Sequence, residues 1–153
     1  SLARVEDRRT RLGVVGKGKS ARYQAMASLL GVESRIHWIG PVQEVERIYA
    51  AADLVALPAR YEPFGNVHLE ALASGLPVIA SGRSGGAEVL TPGRNGIVLK
   101  DPEDPLELAR AIDSLAEPAR RRLWEGTARS AAERFSYASQ ADQLMALYRE
   151  ISP

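Results

Sequence analysis

The chain has 153 residues, 45% of them apolar, a formal net charge of +1 and no cysteine. That length suits one domain able to bury a sizeable core. The near-neutral charge gives no strong pull toward nucleic acid or a membrane surface, the lack of cysteine agrees with a reducing compartment, and no apolar run approaches the ~18 residues of a membrane-spanning helix.

Ser1–Thr10 is charged and has no clean period, and it reads as a linker or the remnant of a helix. Arg11–Gly16 reads as a buried strand, with Gly16-Lys17-Gly18-Lys19 at its carboxyl end. A glycine loop between strand and helix can approach a phosphate. This one lacks the spacing of the dinucleotide fingerprint and of the P-loop. Gly16, Lys17 and Lys19, with Arg22 nearby, are therefore either diphosphate ligands or ordinary loop residues. Tyr23, Met26, Ala27 and Leu30 form one apolar helix face. Arg35–Gly40 reads as the next strand, with His37 and Trp38 in packing roles, and it ends in Gly40-Pro41-Val42. Val45, Ile48, Tyr49 and Ala52 mark the following helix.

The chemistry concentrates between Asp53 and Ser81. Asp53–Leu57 is a continuous apolar run, as in a parallel strand covered on both faces. The loop after it carries Glu62, and Gly65 permits a sharp turn into a short helix. That helix opens at the carboxyl end of a parallel strand, where open α/β sheets put their ligands. The amides at its start suit an anion. Asn66, Glu70 and Ser74 form a polar stripe, and Leu69, Leu72 and Ala73 an apolar face. Two carboxylates beside an anion site fit a sugar nucleotide: the diphosphate takes amides, and the hydroxyls take carboxylates through charge-assisted bonds. The alternative is a helix-capping Glu62 and a solvated Glu70.

Downstream, Gly85-Gly86 makes a turn into a short helix, Pro92–Gly96 a further turn, and Ile97–Leu99 the last strand. Asp101–Pro105 reads as a helix start. Three helical faces follow: Leu108, Ile112 and Leu115; Trp124, Ala128, Ala131 and Phe135; and Ala141, Leu144, Met145 and Tyr148. All three argue for core packing. No Asp-x-Asp motif is present, so no metal site and no cofactor are expected.

Glu62-Pro63-Phe64-Gly65, Glu70-Ala71, Gly75-x-Pro77-Val-Ile-Ala, Leu12-Gly-Val-Val-Gly16, Gly85-Gly86-x-Glu88 and Asn95-Gly96 are together far more specific than any one of them. They resemble the retaining glycosyltransferases of the family that includes sucrose synthase-like, mannosyl- and lipopolysaccharide-glucosyl transferases. The resemblance covers about Arg11 to Tyr148. It implies an α/β fold with a Rossmann-like parallel sheet flanked by helices, the C-terminal half of a GT-B enzyme without its first strand. Residues 11–153 would be the donor-binding domain of a longer enzyme. The implied donor is a nucleotide diphosphate sugar, with uridine diphosphate glucose favoured. The acceptor is a saccharide or lipid-linked molecule held by an N-terminal domain.

By the same resemblance, the backbone at Pro41 and Val42 lies near the base, and Glu70 takes the ribose hydroxyls. Gly65, Asn66 and Val67 offer amides to the diphosphate, and Pro63 and Phe64 complete the donor loop. Glu62 is the catalytic candidate, as a ligand of the transferred sugar rather than a nucleophile. A cytoplasmic enzyme is implied, with peripheral membrane association left open. Two other classes share these features: a sugar-nucleotide epimerase of the same architecture, and a non-catalytic nucleotide-sugar-binding module.

Overall fold

A computed structural model describes residues 1–18 and 20–151. Five parallel strands form two sheets. The first pairs β1 (Leu12–Val15) with β2 (Ile36–Gly40). The second has the order β3 (Val55–Leu57), β4 (Val78–Ser81), β5 (Gly96–Leu99). The helices are α1 (Ala21–Leu29), α2 (Val45–Ala51), α3 (Val67–Ala73), α4 (Pro105–Ser114), α5 (Pro118–Glu133) and α6 (Tyr137–Ile151).

Burial follows the number of neighbours each strand has. β4 lies between two strands, and all four of its residues are buried. Its four consecutive small apolar or hydroxyl residues fit a strand covered on both faces. β1 and β3 each have one partner, so the expected burial is only partly realised there. Leu12 and Val15 are exposed, as is Ala56 of β3. The main core gathers Tyr49 of α2, Ala71 and Leu72 of α3, Leu76, Val78 and Ala80 around β4, and Ala128 of α5. A second cluster packs Ile79 and Leu99 against Leu108, Ala111, Leu115 and Trp124.

Three expected faces differ. On α1 only Ala27 is buried; Tyr23, Met26 and Leu30 stand in solvent, because only Leu2, Ala3, Val32 and Ile36 pack there. On α6 no residue is buried, so Ala141, Leu144, Met145 and Tyr148 are not core. On α3 the buried side is His68, Ala71 and Leu72, while Ala73 is exposed. α3 packs on both α5 and the Gly85–Val89 turn, and that turn takes His68 inward. His37, expected in packing, is exposed on β2, and Trp38 is half-buried.

Ser1–Thr10 holds a 3-10 turn at Leu2–Arg4, with Leu2 and Val5 buried. The buried Arg35 guanidinium ties it down, donating to the carbonyls of Thr10 at 3.1 Å, Leu2 at 3.3 Å and Asp7 at 3.2 Å. The carboxylate of Asp113 on α4 accepts from the Glu6 amide at 3.0 Å, so this segment links the first sheet's surroundings to the second.

Candidate functional site: the loop between β3 and α3

The loop after β3 turns at Gly65, whose φ of +71° is a left-handed conformation. Glycine adopts it without the steric cost of a Cβ. The space is also taken: a Cβ there would meet Glu62 Cγ at 2.9 Å and His68 Nδ1 at 3.0 Å. Gly65 thus brings the Glu62 side chain and the first turn of α3 together.

The segment Ser84–Gly86, which follows β4, clamps this loop. The Gly85 amide donates to the Glu62 carbonyl at 3.0 Å, and Glu62 and Ser84 form a parallel bridge. A Cβ on Gly85 would run into the Pro63 carbonyl, and one on Gly86 into His68 Nδ1 and the Phe64 carbonyl. Such close backbone approach leaves room only for hydrogen, which is why two successive glycines stand here. His68, fully buried, closes the clamp: Nδ1 lies 2.7 Å from the Gly65 carbonyl, and Nε2 lies 3.5 Å from Ser84 Oγ. A carbonyl only accepts, so that contact assigns the proton to Nδ1.

Around this rigid loop the two carboxylates are accessible. Glu62 is half-buried and Glu70 exposed. The neighbouring cation, Arg60, is drawn to Glu103 at 2.5 Å. No hydrogen bond or ion pair among the described residues engages the Glu62 carboxylate, so it keeps its acceptor capacity. Glu70 has one partner: the Tyr49 hydroxyl donates to Oε2 at 2.8 Å. Burial, reinforced by the hydrogen bond and charge of Glu70, pushes the Tyr49 pKa well above the usual tyrosine range. Tyr49 therefore remains a neutral donor at any physiological pH. The amides of Gly65, Asn66 and Val67 donate to no acceptor among the described residues; α3 is only 7 residues long, so any anion contact there is with amides rather than a long helix dipole. Among the described residues no cluster of three or more His, Asp or Glu side chains could hold a metal.

The sequence-predicted residues fall into two groups. Glu62, Pro63, Phe64, Gly65, Asn66, Val67 and Glu70 lie together on the β3–α3 connection. Gly16, Lys17, Pro41 and Val42 lie at the carboxyl ends of β1 and β2, in the other sheet. The Gly16 amide donates to the Gly40 carbonyl at 2.9 Å, which joins those two strand ends. Lys17 is exposed. Lys19 lies outside the described residues. Nothing in the sequence pattern marks His68, Ser84 or Tyr49 as parts of the site, since each reads as an ordinary helix or turn residue.

Residues 1–118 match the family model "Glycosyl transferases group 1". The chain belongs to this family. A D-inositol 3-phosphate glycosyltransferase of Corynebacterium kroppenstedtii is 35% identical over 138 residues, 88% of this chain and 30% of that protein. The lipopolysaccharide glucosyltransferase WaaG of Escherichia coli K12 is 34% identical over 125 residues, 81% of this chain and 33% of that protein. The group 1 chain thus spans about a third of the length of these curated relatives. Its α/β fold, parallel sheets flanked by helices, is that of the solved GT-B glycosyltransferases. The crystal structure of Anabaena HepE in complex with UDP superposes with a TM-score of 0.89 at 26% identity, covering 97% of this chain and 43% of that one.

Proposed function

We propose that this group 1 domain is the donor-binding part of a retaining glycosyltransferase that moves a hexose from a nucleoside diphosphate sugar to a saccharide or lipid-linked acceptor. The observation that carries this reading is the clamped β3–α3 loop, where Glu62 and Glu70, neither paired with a cation among the described residues, flank backbone amides that donate to no acceptor among those residues. Carboxylates are strong acceptors for vicinal hydroxyls, and amides suit the diphosphate that leaves. In this reading Glu70 holds the ribose and Glu62 the transferred sugar. Gly65–Val67, with Pro63 and Phe64, face the diphosphate, and Pro41 and Val42 flank the base. Lys17 supplies positive charge to the departing group, and Lys19 has the same role in sequence terms. UDP-glucose is the favoured donor, supported by the HepE structure in complex with UDP-glucose, 29% identical to this chain.

The experiment is product analysis. The whole protein is incubated with UDP-glucose labelled in the sugar, together with saccharide acceptors. Transfer breaks the bond between the anomeric carbon and the diphosphate, so label is expected in the acceptor with release of equimolar UDP. Label kept in a sugar nucleotide of altered stereochemistry would make the protein an epimerase. Binding without turnover would make it a binding module.

A further inference from the structure

One side chain that contacts the site comes from outside the loop. Tyr49 sits near the end of α2, buried to 7% exposure within the main core beside Ala71 and Leu72. Its hydroxyl donates to Glu70 Oε2 at 2.8 Å. Glu70 itself is exposed, on a helix of 7 residues. A free glutamate samples many rotamers, and fixing it on binding a ligand costs conformational entropy. Tethering one carboxylate oxygen to a core-anchored ring removes much of that cost beforehand.

We propose that Tyr49 is a positioning residue for Glu70: its hydroxyl holds Oε2 so that the carboxylate meets the vicinal ribose hydroxyls of a nucleoside diphosphate already oriented. This rests on the reading of Glu70 as the ribose ligand. The chemistry of the partner matters. An arginine or lysine in this place would compete for the carboxylate's charge. A phenol orients it with one neutral hydrogen bond and leaves Oε1, and the second lone pair of Oε2, free to accept. No other hydrogen bond or ion pair among the described residues engages the Glu70 side chain, so Tyr49 alone sets its direction.

The test compares UDP with 2′-deoxy-UDP, titrated by calorimetry into the whole protein and its Tyr49→Phe variant. Phenylalanine keeps the ring in the core and removes only the hydroxyl. The wild type is expected to prefer UDP; Tyr49→Phe is expected to weaken UDP about three- to tenfold and to narrow the gap between the two nucleotides. In a Glu70→Ala background, Tyr49→Phe is expected to change UDP affinity no further. Equal weakening of both nucleotides, or the same loss with and without Glu70, would show that Tyr49 acts through packing and overturn the inference. Unchanged UDP affinity in Tyr49→Phe, beside a loss in Glu70→Ala, would also overturn it while sparing the ribose reading. No loss in Glu70→Ala would sink both. If Tyr49→Phe does not fold, Tyr49→Leu, which fills the core without a hydroxyl, makes the same test, and a preserved UDP preference there would likewise overturn the inference.

Discussion

Arg60 pairs with Glu103, and among the described residues no cation pairs with the Glu62 carboxylate. An acceptor reserved for the transferred sugar should matter for turnover and not for the nucleotide. Glu62→Ala is expected to lower kcat/KM for UDP-glucose about ten- to a hundredfold, the worth of one hydrogen bond to a charged group. Calorimetry with free UDP is expected to show less than a threefold change. The loop itself depends on small residues. Gly86→Ala forces a methyl into His68 and the Phe64 carbonyl, so it is expected to destabilise by about 1–3 kcal/mol in urea unfolding. The turn at Gly65, with Glu62 before it and Glu70 on the helix it opens, was legible in the sequence, because a glycine between strand and helix permits so sharp a turn. His68 and Tyr49 were not, because an aromatic on a helix reads as packing until its polar atom is seen to find a partner.

Among the elements, the strands and helices were legible from apolar runs and period, but which face each helix buries was less so. α3 turned because the Gly85–Val89 turn draws in His68 in place of Ala73. Such a contact joins segments distant in sequence, and helical period cannot encode it. α6 carries an apolar face that nothing among the described residues covers, and the face of α1 is covered only in part, at Ala27, by Leu2, Ala3, Val32 and Ile36. The amino-terminal segment is held mainly through Arg35, whose guanidinium binds three carbonyls while buried to 7% exposure. Removing a charged donor from buried acceptors is costly. Arg35→Ala is expected to lower stability by about 2–3 kcal/mol, measured by urea unfolding, without changing the UDP affinity of the folded protein.

At the scale of the molecule, the two sheets have the orders β1-β2 and β3-β4-β5. The doubly wound order is 3-2-1-4-5-6, and these sheets match its 3-2 and 4-5-6 parts. In open sheets of this kind ligands bind outside the carboxyl ends of the strands, where the order reverses. Gly16 and Lys17 follow β1 and the Glu62–Glu70 loop follows β3, so both stretches lie at carboxyl ends of parallel strands.

In the proposed function, Glu70 accepts hydroxyls from a nucleotide. The most direct measurement is a calorimetric titration of UDP into the whole protein and into Glu70→Ala, at one salt concentration and with folding checked by circular dichroism. The account predicts a loss of about 1.5–3 kcal/mol in binding free energy, the range for hydrogen bonds to a charged group. An unchanged affinity in a folded Glu70→Ala protein would contradict it.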